Sequence, residues 1–195
     1  MTLPDENDIT STVNTFWFGN PDDPDYGKSR AQWFTKDANF DASIRDRFEG
    51  WIEAAGNGEL DHLAQTGLGA VALMVLLDQF PRNAYRGDPR SFSYDAKALA
   101  IAKDVVARKL DQAVPAFMRT FLYLPFEHSE NISDQAQCLE LFAGLGDDGG
   151  DGLEWAKKHY EIIKRFGRFP HRNAVLGRPS TPEELDFLKE PGSSF

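Results

Sequence analysis

At 195 residues the chain is long enough to bury a continuous core and short for two full domains, so one domain spanning residues 1–195 is expected. Hydrophobic residues make up 41% and aromatics 12%, with fifteen Phe and four Trp, which excludes a disordered chain. A net charge of −10 repels phosphate backbones and anionic lipid heads, so neither nucleic acid nor a membrane is an expected partner.

The first eight residues, Met1 to Asp8, are acidic and lack the basic and apolar regions of a secretory signal, which predicts a cytoplasmic protein. Residues from Asp8 to Phe18 read as a helix stopped by Gly19, followed by an irregular loop from Asn20 to Gly27. Phe40 to Ala55 places Ile44, Phe48, Trp51, Ile52 and Ala55 at spacings of three and four, an amphipathic helix closed by Gly56. From Gly67 to Phe80 the pattern is apolar all round, which predicts a buried central helix ended by Pro81. Its longest apolar run, Leu68 to Leu77, is about half of the roughly 20 residues needed to span a bilayer.

A turn from Arg82 to Arg90 leads to a helix over Asp95 to Leu110. Pro115 opens the next helix and Pro125 interrupts it. Ile132 to Leu145 is helical and carries the lone Cys138, expected as a small buried hydrophobe because no second cysteine exists to pair with it. Gly144 to Gly152 is a flexible connection whose aspartates lack the register of a calcium loop. Glu154 to Phe166 forms a helix ended by Gly167, with Trp155, His159, Ile162, Ile163 and Phe166 on one core-directed face. Thr181-Pro182-Glu183-Glu184 is a capping box that starts the last helix. Seven or eight helices and almost no period-two pattern make an all-α protein of sequential helix pairs.

Three motifs interrupt the apolar patterns with polar groups. In Asp78-Gln79-Phe80-Pro81-Arg82-Asn83 a carboxylate sits at the negative end of a helix and requires a cationic or hydrogen-bonding partner, for which Arg82 is placed. Arg82 and Asn83 then either line a pocket or staple the helix end to the next loop. In Glu127-His128-Ser129-Glu130 two carboxylates flank a titratable imidazole, an acid–base pair if they face a ligand and helix-capping groups if they do not. The third motif runs from His159 to Asn173. His159 is directed to the core, Arg165 is placed to pair with Glu161, and Arg168, His171, Arg172 and Asn173 fall on a Gly/Pro-punctuated loop where side chains are free to converge on a ligand, a carboxylate or phosphate being the group that planar arginines with a histidine suit.

Between Trp155 and Arg178 seven basic residues stand against the single Glu161. Two readings follow: internal pairing with the acidic remainder, or a pocket for a small anion. Glycine-rich phosphate loops, dinucleotide fingerprints, serine-hydrolase elbows and zinc-protease motifs are missing, so no cofactor or metal is expected.

The motifs around Phe16-Trp17-Phe18, Leu77 to Asn83, Phe126 to Glu130, Arg165 to Asn173 and the terminal Ser193-Ser194-Phe195 closely resemble a helical family catalogued as domain of unknown function 924. The resemblance covers nearly the whole chain. It implies a tetratricopeptide-like fold, a right-handed array of antiparallel helix pairs, and no particular activity. The family's Gly-Arg-x-Ser-Thr ending reads here Gly177-Arg178-Pro179-Ser180-Thr181.

Three functions are carried forward. The first is a binding module for a small anionic ligand or protein segment, with Arg82, Asn83, Glu130, His159, Arg168, Arg172 and Asn173 as ligand-binding candidates. The second is an enzyme with His128, Glu127 and His171 as catalytic candidates and the arginines orienting an anionic substrate. The third is structural assembly through an apolar helix face.

Overall fold

The structure is a computed structural model that describes residues 5–33 and 35–194. The first four residues of the acidic start and Phe195 of the terminal motif lie outside the described residues. Among the described residues there are eight helices and no strand. They are α1 (Glu6–Phe18), α2 (Ala38–Asn57), α3 (67–84), α4 (Asp95–Ala107), α5 (Ala116–Glu127), α6 (Ile132–Ala143), α7 (Gly152–Phe166) and α8 (Pro182–Phe187).

Helix starts follow local chemistry. Asp5, Asp37, Thr66 and Asn131 each accept a backbone N–H of the first turn through the side chain. Thr181 and Glu184 form the predicted reciprocal capping box of α8. Gly167 ends α7 in the left-handed region, at φ 70, with its N–H donating to Ile163 O. Gly56 does not end α2. It lies inside the helix, where a Cβ would overlap the Tyr94 ring, so close packing rather than chain reversal requires glycine there.

The apolar α3 is the rod around which α1, α2, α4 and α5 pack, with α6 on α5 and α7 on α6. Phe80 of this rod and Trp17, Phe18, Phe48 and Phe126 of the other helices are fully buried, each contributing about 1.5–3 kcal/mol of transfer free energy. Trp17 meets the rings of Phe80 and Phe121 edge-on at 5.7 and 5.9 Å. A smaller cluster of Ile162, Ile163 and Phe169, with Phe166 and Phe187 against it, fastens α8 to α7.

Three expectations are corrected here. Pro81 does not end the central helix, which continues to Ala84 after a π-helical turn, Val75–Gln79. Proline lacks an N–H and crowds the carbonyl four residues back, and the wider turn before it, closed by Phe80 N–H donating to Val75 O, accommodates both defects. Pro125 likewise lies inside α5, and the helix runs on to Glu127 with His128 N–H donating to Leu124 O at 2.9 Å. Trp155 is not on the core face. It is 45% exposed, with the Lys158 ammonium 3.8 Å from its ring centroid, because the buried stripe of this helix runs through Ala156, His159, Ile162 and Ile163 and leaves position 155 on its flank.

Candidate functional site: a buried histidine, carboxylate and arginine cluster

The π turn rotates Asp78 off the regular helical register and presents its carboxylate, 1% exposed, to the ends of α5 and α4. Oδ1 lies 2.7 Å from Nδ1 of His128, the residue that caps α5. Gln79 Nε2 donates to Oδ2 at 2.6 Å, and Arg82 Nη1 lies 3.2 Å from Oδ1 while donating to the Asp78 carbonyl at 2.7 Å. Burial pushes the Asp78 carboxyl up, but Arg82 and His128 outweigh it and hold the group well below the usual carboxylate range. An ionised Asp78 fixes the His128 proton on Nδ1 and leaves Nε2 as the acceptor. Burial, then Arg82, lowers the imidazole below its ordinary value, so the ring is neutral at pH 7.

From Asp78 the network extends in a line. Arg82 donates through both terminal nitrogens to Asp95, the first residue of α4, at 2.9 and 3.0 Å. Asp95 Oδ2 in turn accepts Arg172 Nη1 at 3.2 Å from the 3-10 turn Pro170–Arg172. The Arg172 guanidinium carbon lies 4.7 and 4.6 Å from the ring centroids of Phe92 and Phe169. Burial, then Arg82, lowers the Arg172 pKa to about 10. All three polar motifs of the sequence meet in this chain of contacts.

A second imidazole–carboxylate pair stands beside the first. Glu127 Oε1 is 3.4 Å from His159 Nδ1, and that nitrogen donates to Trp155 O at 2.9 Å. Glu127 is 4% exposed, and burial with the neighbouring Asp78 raises its carboxyl to about 8, protonated at neutral pH. Among the described residues its Oε2 has no hydrogen-bond partner. Burial lowers His159 to about 3 and His171 to about 4. Phe169 packs its ring against both imidazoles, 5.5 Å from His159 and 5.6 Å from His171.

The end of α5 is pinned from below. Gln135 Nε2 donates to the carbonyls of Glu127 and Ser129 at 2.5 and 2.8 Å, satisfying acceptors that a helix end leaves open. The next helix is capped by Asn131, and Ser129 instead donates to Asp134 at 2.8 Å, so none of Glu127, Ser129 and Glu130 is its cap.

The structure therefore sorts the sequence candidates. Glu127, His128, His159, His171, Arg82 and Arg172 come together. Glu130 stands behind them as a fastener, accepting Phe169 N–H at 2.8 Å and both Nη groups of Arg178 at 2.7 and 2.9 Å. Asn83 faces α2, donating to Asp41 at 2.8 Å. Arg168 turns to the C-terminal segment, holding Glu184 at 2.6 and 2.8 Å. Asn173 donates to Ser180 at 3.1 Å and accepts Arg178 Nε at 2.9 Å. Arg165 pairs with Glu183, not Glu161. Internal pairing thus accounts for the four arginines of the basic segment, each matched with a carboxylate outside it.

Asp95 was missed as a site residue. Its only sequence signal, an acid in the first turn of a helix, is shared with residues that merely favour the helix dipole. Among the described residues no group of three or more His, Cys, Asp or Glu is arranged to hold a metal ion.

Fold and cluster together define an all-helical protein with a buried histidine–carboxylate–arginine network at the junction of α3, α5 and α7. The chain belongs to the family described as bacterial protein of unknown function (DUF924), which matches residues 13–192. A protein of unknown function from Agrobacterium tumefaciens has a similar structure, with 40% sequence identity, 95% of this chain and 99% of that chain covered, and a TM-score of 0.84. A comparison with curated proteins returns no match. No described helix is long and apolar enough to cross a membrane.

Proposed function

We propose that the cluster is a general acid–base site and that the protein is an enzyme acting on a small anionic substrate. The observation that carries this reading is the 2.7 Å contact between buried Asp78 and His128, whose side chain is 14% exposed. A carboxylate that fixes the imidazole tautomer, at the edge of a buried cluster, is the arrangement general-base chemistry requires. His128 takes the proton and Asp78 positions it. Glu127, neutral beside them, is the matching acid, since two titratable groups driven apart in pKa by their surroundings divide into acid and base. Arg82 and Arg172 orient the anion.

Support for the fold's finer arrangement, a tetratricopeptide-like array of helix pairs, comes from the sequential packing of α5 on α6 and α6 on α7. One domain over the whole chain is supported by a main core that runs from Ile9 to Ala156.

The test is turnover of a panel of small carboxylates and phosphate esters, followed by proton NMR, with wild type, His128→Gln and Asp78→Asn. Conversion that falls by about 10²–10⁴ in His128→Gln, with ligand-induced thermal shifts retained, supports the reading. Thermal shifts without conversion in wild type point instead to a binding module.

A further inference from the structure

Arg172 is bonded on one side only. Its Nη1 is committed to Asp95, yet Nε is buried without a hydrogen-bond partner and Nη2 makes no hydrogen bond among the described residues. Nε and Nη2 form one straight edge of the planar guanidinium, with two parallel N–H groups spaced to match the two oxygens of a carboxylate. The rings of Phe92 and Phe169 pack on the group and hold its orientation, so little side-chain entropy is left to lose when a ligand docks. An unsatisfied donor on a residue only 6% exposed calls for a partner, because buried polar groups are otherwise hydrogen-bonded.

The surrounding charges select the partner. Arg82 and Arg172 are balanced by Asp78 and Asp95, Arg178 by Glu130, and burial keeps His128, His159 and His171 neutral at pH 7. One added negative charge leaves such a cluster one unit out of balance and two leave it doubly so, at a cost that rises with charge in a low-dielectric site. The cluster reaches solvent over Arg82, Asp95, His128 and His171, all partly exposed.

We infer that the Nε–Nη2 edge of Arg172 seats the carboxylate of a monoanionic ligand, in preference to a phosphate dianion. This deepens the acid–base reading by naming the substrate class, and it rests on that reading only for the identification of the ligand as a substrate.

The test uses acetate and inorganic phosphate as probes at matched ionic strength and pH 7.5, reading the Arg172 Nε–H resonance of the intact protein by nitrogen-15 NMR. Acetate is expected to move that resonance downfield saturably, with phosphate at least about tenfold weaker. Arg172→Lys, which keeps the charge and loses the fork, is expected to bind acetate at least about tenfold more weakly than wild type. His128→Gln retains acetate binding, so loss of turnover in that variant leaves this inference standing. A resonance unmoved by acetate, phosphate binding as tightly as acetate, or a folded Arg172→Lys that binds like wild type each overturns it. The wild-type measurement decides the matter even if Arg172→Lys does not fold.

Discussion

His128 and His159 meet edge to face with ring centroids 6.3 Å apart, each beside its own carboxylate, Asp78 for the first and Glu127 for the second. The two carboxylates share a buried environment and differ in charge. Asp78 has Arg82 next to it and stays ionised; Glu127 has only His159 and the repulsion of Asp78, and holds its proton. Arg82, with the hydrogen bonds from His128 and Gln79, separates an anion from a neutral acid.

The raised Glu127 carboxyl sets the alkaline side of the stability profile. Its folded pKa of about 8 lies above its ordinary value of 4.5, so its contribution is fully present below 4.5 and is lost as pH rises towards 8. Glu127→Gln is expected to flatten that decline and to stabilise the protein at pH 9 by roughly 2 kcal/mol or more, since each tenfold change in proton affinity on folding corresponds to about 1.4 kcal/mol. Urea unfolding across pH 5–9 checks it; an unchanged slope in the variant contradicts the assignment.

On the acid side the histidines have the opposite sign. His159 and His171 are held neutral, about 3 and 4 against an ordinary 6.5, so the unfolded chain binds their protons first and stability rises with pH from about 3 to 6.5. With Glu127 acting above, the maximum is expected between about pH 6 and 7. A thermal-melt series that peaks above pH 8 is incompatible with these burials.

Asp78→Asn removes the anion that Arg82 and His128 share. Breaking a buried ionic contact costs about 3–5 kcal/mol, and because Arg82 keeps Asp95 the expected loss is near the lower end, roughly 3 kcal/mol. The variant also releases the His128 tautomer, visible as a change in the imidazole nitrogen-15 shifts. A stable variant with an unchanged tautomer means the 2.7 Å contact does not hold the ring.

Gly56→Ala adds a methyl where the Tyr94 ring already stands. Helix propensity favours alanine by about 1 kcal/mol, whereas overpacking costs about 1–3 kcal/mol, so net destabilisation is expected. In the double variant Gly56→Ala/Tyr94→Ala the penalty attached to position 56 disappears and the propensity gain emerges. Additive effects of the two substitutions would place the clash elsewhere.

Arg168→Ala releases Glu184, whose carboxyl the guanidinium holds at about 2, and with it the capping box of α8. Amide hydrogen exchange is expected to quicken over residues 173–188 while the His128 tautomer and the acid–base profile stay as in wild type. Changes confined to the His128 neighbourhood would return Arg168 to the ligand-contacting group.

Helix positions were legible because they depend on neighbours in sequence. The α2, α4, α6 and α7 patterns, the Gly19 and Gly167 stops and the Thr181 capping box all rest on periodicity or cap chemistry within a few residues. The two prolines misled for the same local reason. Pro81 and Pro125 break isolated helices, yet here burial of Leu77, Phe80, Tyr123 and Phe126 on both sides outweighs the lost bonds.

The residue types of the site could be named from sequence, and His128, Glu127, Arg82, His159, His171 and Arg172 do come together. Their sorting from Asn83, Arg168 and Asn173 could not be read there, since all are polar groups within the same three motifs and partners such as Asp41, Glu184 and Asp95 lie far away in sequence. The chain by itself determined an all-helical fold with an apolar central rod, and it marked where charge intrudes on apolar pattern. Only tertiary packing decided that a π turn aims Asp78 at His128 and that Arg172, 77 positions after Asp95, is its partner, because contacts at such separation are set by how helices pack and leave no local trace.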